Sequence, residues 1–232
     1  AFDLSVNVID RWRMNKIQQR ALEAAKIEQK LQEARLELAL HQIKPHFLQN
    51  ALMSIKVLCR TRPKEAEQAV YDFAVFLRGN MNALESAEMI LFREECKTIE
   101  RYLHIEKMRF GERLQVQWDL QEEKFQIPPL TIQPLVENAV CHGICQKMEG
   151  GTVQIRSFRK NGEICVQILD DGAGFDTEKL KDADGIAIRN LKLRLKEFLN
   201  ADLEIESRKG EGCRQTIHIP WEETEDENYS DR

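Results

Sequence analysis

At Gly111 the period of this 232-residue chain changes: before it apolar residues recur at helical spacing, and after it they alternate as strands do. No single-class fold accommodates both parts. In the front part, residues 17–44 contain neither Gly nor Pro, and Ile17, Ala24, Leu31 and Leu38 recur every seven residues. Ile27 and Ala34 complete an a/d seam flanked by Lys, Arg, Glu and Gln, the pattern of a parallel dimeric coiled coil rather than of one solvated helix. Arg20 and His41 occupy d positions and weaken its ends. After Pro45, apolar positions 47, 48, 51, 52, 55 and 58 predict a helix, Thr61-Arg62-Pro63 a turn, and Ala66, Ala69, Val70, Phe73, Phe76 and Leu77 a second helix. Two such hairpins could form a four-helix bundle. A helix over 94–110 carries Ile99, Leu103 and Met108 and stops at Gly111.

In the rear part, strands are expected at 116–120, 153–158, 164–169, 203–207 and 215–219, with a turn at Lys160-Asn161-Gly162. Helices are expected at 132–141, after Ile127-Pro-Pro-Leu, and at 188–199. The fold class is therefore α+β: helices on one face of a largely antiparallel sheet, behind a helical front.

Composition narrows the function. With 42% hydrophobic residues the chain buries a real core. No apolar run reaches the ~18 residues of a membrane span, and no secretory signal is visible. There are 34 Lys and Arg against 39 Asp and Glu, so general nucleic-acid binding is disfavoured. The net charge of −5 resides in the tail 221–232, while 11–44 is basic. The run Arg11-Trp-Arg-Met-Asn-Lys16 follows a more apolar stretch, as on the cytoplasmic side of a membrane anchor. Since the chain also starts at Ala1 without Met, an anchor upstream of residue 1 is expected. The cysteines at 59, 96, 141, 145, 165 and 213 form no CxxC pair. A metal cluster of Cys141, His142 and Cys145 fits no zinc spacing well, so scattered reduced thiols in the cytosol are the better reading.

Three segments carry chemistry: His41-Gln-Ile-Lys-Pro-His46-Phe-Leu-Gln-Asn50, Pro134-Leu-Val-Glu137-Asn138-Ala-Val-Cys-His142-Gly143, and Asp170-Asp-Gly172-Ala-Gly174 followed by Gly185-Ile-Ala-Ile-Arg-Asn190. An acid and two glycines at a strand end let backbone approach a ligand or bend sharply, and the carboxylate can accept a hydrogen bond from an amino group. Alone, that pattern is better explained by a structural turn. Asn138 is polar in an otherwise apolar helix, and its amide oxygen suits Mg²⁺; a satisfied core Asn is the plainer reading.

In this order the segments resemble the histidine-kinase branch of the GHKL ATPase superfamily, and more closely the LytS/YesM-type sensor histidine kinases, over about residues 40–220. Tyr102-Leu-His-Ile-Glu-Lys-Met-Arg-Phe-Gly and Pro-Pro-Leu-Thr-Ile-Gln-Pro-Leu-Val-Glu-Asn carry the likeness as well. The heptads give a signal-transmitting coiled coil over 1–44 and the charge an acidic, disordered tail over 221–232, while the resemblance implies dimerisation and phosphotransfer helices (45–90) and a GHKL (Bergerat) ATP-binding α/β sandwich (91–220). It implies His46 as phosphoacceptor, an imidazole partly neutral at pH 7 and so nucleophilic. Asn138 would hold Mg²⁺ and Asp170 adenine. Gly172, Gly174, Gly185, His142 and Asn190 would complete the nucleotide site, with residues 175–184 as its lid. Asn50, one turn past His46, stands where other kinase families orient a water for dephosphorylating the partner, with simple packing or capping as the plainer reading. The implied partners are a second copy of the chain and the receiver domain of a response regulator, at the cytoplasmic face of a bacterial membrane.

The departures are specific. Relatives that hydrolyse ATP carry a catalytic Glu where this chain has Pro134, which fits transfer to histidine rather than water. The family pattern has Phe at Gln49, Asn at Met53, Lys at Cys141 and Gly at Ala187, and Gly210-Glu-Gly212-Cys213 ends in Cys rather than Thr. These changes keep open an alternative, a nucleotide-poor pseudokinase that dimerises and relays a signal. A water-directed ATPase is disfavoured by Pro134 and the His46 motif.

Overall fold

The computed structural model describes residues 16, 19, 22, 23, 26, 28–30, 45–85, 88–176 and 186–221. The chain forms two compact units, 1–48 and 49–232. In the first, the described residues between 16 and 30 are helical and exposed. The coiled-coil seam positions 17, 20, 24, 27, 31, 34, 38 and 41 lie outside the described residues, as do most of the lid, Gly185 and the tail beyond Trp221.

Helix α1, Pro45–Thr61, and helix α2, Pro63–Glu85, both open on proline, whose missing N–H is harmless in a first turn. The expected turn at 61–63 thus contracts to Arg62, whose N–H still donates to the Leu58 carbonyl. Ile55 and Leu58 of α1 pack on Ala66 and Ala69 of α2, with Phe73 and Met108 closing the cluster. Helix α3, Phe92–Phe110, lies against α2: the Phe76 and Tyr102 rings are 5.9 Å apart, and Asp72 Oδ2 is 2.6 Å from His104 Nδ1. Gly111 ends α3 at φ 57, donating its N–H to the Lys107 carbonyl.

Strand β1, Ile90–Leu91, and strand β3, Gln126–Ile127, form a small antiparallel ribbon. It is too short for alternation to reveal, and stacked Phe92 and Phe125 rings close it, with centroids 4.7 Å apart. The main sheet comprises β2 (Leu114–Leu120), β4 (Gly151–Lys160), β5 (Glu163–Asp170), β6 (Asp202–Arg208) and β7 (Gly212–Pro220), in the order β2-β4-β5-β7-β6. Only the β2–β4 pair is parallel. A parallel pair requires a crossover, and that crossover carries helix α4, Gln133–Asn138, onto the sheet. The β4–β5 turn has Asn161 at φ 53 and Gly162 at φ 77, the left-handed pair that a two-residue hairpin demands. Val153, Ile155, Ile164, Val166, Ile168 and Ile217 alternate onto one buried face. Helix α5, Ile186–Leu199, buries Leu191 and Leu195. Among the described residues no helix is long and apolar enough to cross a membrane.

Candidate functional site

Asp170 is the last residue of β5, paired across the sheet with Val153 and Cys213. Its buried carboxyl accepts the backbone N–H of Gly172 on Oδ1 at 3.0 Å, and the N–H of Cys213 also points to it. Burial pushes its pKa up to about 6, opposed by the Gly172 N–H and reinforced by the charge of Asp171. At pH 7 it is mainly ionised. A carboxylate has about four acceptor positions, so two stay available to a donor from outside.

The glycines around this acid have a geometric cause. Gly143 lies so close that a Cβ there would collide with the Asp170 carboxylate, and a Cβ on Gly172 would collide with the Gly143 backbone. The Ala173 N–H donates to the Gly143 carbonyl at 3.2 Å, locking the two segments. Gly174, at φ 57, faces the Arg208 carbonyl, and Gly212, at φ 85, faces that of Asp170. The Gly210 N–H donates to the Ala173 carbonyl at 2.7 Å, and Phe175 N–H to Ser207 Oγ at 3.0 Å. Residues 170–175 are thereby clasped between the helical crossover and the β6–β7 hairpin.

The crossover helix differs from its expected form. An α-helix was expected over 132–141; α4 stops at Asn138, continues as a π-turn over Ala139–Gly143 and ends in a 3₁₀ turn, Ile144–Gln146. The sequence spacing of a π-turn is too close to that of an α-helix for the pattern to separate them. Pro134 sits in the first turn, where a proline is tolerated. Asn138, at the end of α4, is half-buried, and His142 is exposed. Cys141, where the family pattern has Lys, is half-buried, close to Tyr102 and Cys145. Burial drives the Tyr102 phenol upward, and the neighbouring Cys141 does the same to the Cys145 thiol. All six cysteines are free. Cys141, His142 and Cys145 do not converge as a ligand group; among the described residues that property belongs to Glu163, Cys165 and His218.

A polar hub at the start of α4 was not legible as part of the site. Glu95 of α3 is fully buried, and its Oε1 accepts the N–H groups of Ile132 (2.6 Å) and Gln133 (2.9 Å). Burial pushes its pKa up to about 7, against those N–H groups and the charge of Arg194. Arg194 of α5 donates to the Leu130 carbonyl. Gln133 Nε2 donates to Asn80 Oδ1 of α2 at 2.9 Å and to Glu137 Oε1 at 2.8 Å. Three helices therefore hold one helix end. The available signal was a charge on an apolar stripe, since Glu95 falls among Phe92, Cys96 and Ile99.

Of the expected site residues, Asp170, Gly172 and Gly174 are brought together, against Gly143, which follows Asn138 on the crossover. Asn190 is exposed on α5. His46 is exposed on α1, with Asn50 half-buried four residues further along the same helix. Gly185 lies outside the described residues.

A mixed sheet with one parallel crossover, whose helix leans on an acid-and-glycine strand end, defines the class: an ATP-binding domain of the GHKL type. Comparison with known proteins agrees. Residues 129–223 match the family of histidine kinase-, DNA gyrase B- and HSP90-like ATPases, and residues 34–114 match the histidine kinase family. The chain is 36% identical over 203 residues to the uncharacterised protein YwpD of Bacillus subtilis (strain 168), covering 83% of this chain and 73% of that one. It is 33% identical to the sensor histidine kinase BtsS of Escherichia coli (strain K12) over 82% of this chain and 34% of that one. With the sensor protein LytS of Bacillus cereus it shares 30% identity, over 85% of this chain and 36% of that one. The chain belongs to the histidine-kinase family, in its LytS-like branch, and spans about a third of the length of those two sensor kinases.

Proposed function

We propose that this chain is the phosphotransfer and catalytic part of a two-component sensor histidine kinase. It binds Mg-ATP, phosphorylates His46 and passes the phosphoryl group to an aspartate of a response-regulator receiver domain. The observation that carries the reading is the Asp170 carboxylate, ionised at pH 7 and clasped by glycines beside the crossover helix, with acceptor capacity left for an adenine amino group. Asn138 supplies a hard amide oxygen at the helix end, a donor type that fits Mg²⁺, which needs few protein ligands when phosphates supply the rest. When bound, Mg²⁺ offsets phosphate charge. A ring nitrogen of His46 forms the N–P bond, the bond from phosphorus to the ADP oxygen breaks, and the ring gives up its remaining N–H proton. Pro134 leaves no carboxylate at the water-activating position, which favours histidine as acceptor.

The reading includes a homodimer. Leu52, Met53, Val57, Val70 and Tyr71 on α1 and α2 are each more than half exposed, and a second hairpin would cover them. In the reading, Asn50 orients water for dephosphorylation of the receiver, His142, Gly185 and Asn190 attend the nucleotide, and an anchor upstream of residue 1 holds the protein to the cytoplasmic face of the membrane. Incubation with Mg²⁺ and γ-labelled ATP tests it. Acid-labile, base-stable label that is lost in His46→Ala is expected. No label and no ATP binding would leave the dimerising relay scaffold. Sustained phosphate release from unlabelled protein would leave a water-directed ATPase. Unchanged receiver dephosphorylation in Asn50→Ala would remove that residue's assigned role.

A further inference from the structure

The open face of the sheet carries a second cluster that the nucleotide reaction does not use. Cys165 of β5 stands directly opposite His218 of β7 in the antiparallel register, and Glu163 lies two residues before Cys165 on the same face. His218 Nδ1 is 3.0 Å from Glu163 Oε2 and 3.9 Å from Cys165 Sγ. One ligand atom from each residue lies within 4.8 Å of the others. We propose that Glu163, Cys165 and His218 form a binding site for a divalent ion of the zinc class.

Four observations support the assignment. The separations are close to the roughly 3.3–3.8 Å between ligand atoms that a tetrahedral ion with Zn–S of about 2.3 Å and Zn–N or Zn–O of about 2.0–2.1 Å imposes. A soft thiol, an imidazole and one carboxylate select zinc-class ions over Mg²⁺ and Ca²⁺, which take oxygen. The second ring nitrogen, His218 Nε2, faces Glu204 Oε2 of β6 at 3.5 Å, the outer carboxylate that orients a metal-bound imidazole through its other nitrogen. Finally, the ligands are held on β5 and β7, each flanked by strands on both sides, so their geometry is set by the ladder and not by a loop.

The same residues do not make a standing nucleophile. Burial, and then the charge of Glu163, push the Cys165 thiol up, so it is protonated at neutral pH. Metal binding would replace that proton: the S–H bond is lost, an S–metal bond forms, and one proton is released to solvent. Glu163 opens β5 and Asp170 closes it, seven residues or about 23 Å along the strand, so the site is separate from the nucleotide and stands independently of the proposed kinase activity.

Co²⁺ is the probe. Titrated into the full, reduced, metal-free chain, it is expected to give a sulfur-to-metal charge-transfer band and tetrahedral d–d bands saturating at one equivalent, displaced by Zn²⁺. Cys165→Ser and His218→Gln should each abolish the charge-transfer band or weaken Zn²⁺ binding at least tenfold, while Cys141→Ser leaves both unchanged. Glu163→Gln, at a half-buried position, should weaken binding without touching the buried thiol, which guards against a folding defect in Cys165→Ser. The proposal is overturned if no charge-transfer band forms, as when His218 is held only by its contacts with Glu163 and Glu204. A band that persists in both Cys165→Ser and His218→Gln overturns it equally.

Discussion

The helical hairpin and the sheet domain solve burial in opposite ways. The α1–α2 hairpin buries Ile55, Leu58, Ala66 and Ala69 between its helices, yet leaves Leu52, Met53, Val57, Val70 and Tyr71 more than half exposed. The sheet domain buries Ile155, Ile164, Val166, Ile168 and Ile217 completely. One region has an apolar surplus, which the proposed second chain would cover; the other buries its apolar face and spends its close contacts on backbone around Asp170. A change in the sheet domain should therefore act on fold and nucleotide together, whereas a change on the hairpin surface should act on association.

The largest effect is expected from Gly212→Ala. The new methyl would meet the Asp170 carbonyl, at a φ of 85 where an L side chain is itself strained. Overpacking costs about 1–3 kcal/mol and left-handed backbone about 1–2 kcal/mol more. Urea unfolding should show the loss, and ATP affinity should fall with it. An unaffected midpoint would mean that the clasp around Asp170 is looser than described.

Next comes pH. Glu95 and Asp170 both have folded pKa values raised above their unfolded ones, to about 7 from 4.5 and to about 6 from 3.8, chiefly by burial. The folded state thus holds more protons. Stability from these groups is fully present below about pH 4 and is lost as pH rises through about 6 and 7. For Glu95 the swing is on the order of 3 kcal/mol. Glu95→Gln keeps an oxygen to accept the Ile132 and Gln133 N–H groups but removes the titration. Its unfolding free energy should vary less between pH 4.5 and 7 than that of the parent, and an equal variation would contradict the assignment.

Gln133→Ala should cost about 1–3 kcal/mol, because it leaves Asn80 Oδ1 buried without its donor. It should also raise KM for ATP more than it lowers kcat, since it loosens the helix that ends in Asn138. Leu52→Asp should shift the chain toward monomer in sedimentation while leaving nucleotide affinity of the sheet domain intact; loss of both would erase the contrast between the regions. The smallest effect belongs to the exposed pair Lys97–Glu94, at 2.7 Å: Lys97→Ala should change stability by less than about 0.5 kcal/mol.

The legible parts share one property, that their signal is local. The hairpin stripes, the Asn161-Gly162 turn, the glycine at the end of α3 and the Asp170-x-Gly-x-Gly strand end are each written in a few consecutive residues. Glu95, Asn80, Gln133 and Arg194 meet only after four helices pack, and of these only Gln133 stands in a motif, so their joint role at the end of α4 could not be read. The β1–β3 ribbon is too short to alternate, and the π-turn mimics an α-helix in spacing. Cys141 reads in the sequence only as a departure from the family's Lys, whereas the fold sets it near Tyr102 and Cys145. Gly143 was visible in its motif, but its reason, the carboxylate of Asp170 against its backbone, is a long-range fact.

The central claim is that the sheet domain supplies the nucleotide and α1 supplies the acceptor. Calorimetry of ATP binding and γ-phosphoryl labelling, run side by side on Asp170→Asn and His46→Ala, test it most directly. Asp170→Asn should lose both binding and label, because its amide cannot replace the ionised acceptor. His46→Ala should bind ATP like the parent and carry no label. Parent-like ATP binding in Asp170→Asn, or undiminished label in His46→Ala, would contradict the account.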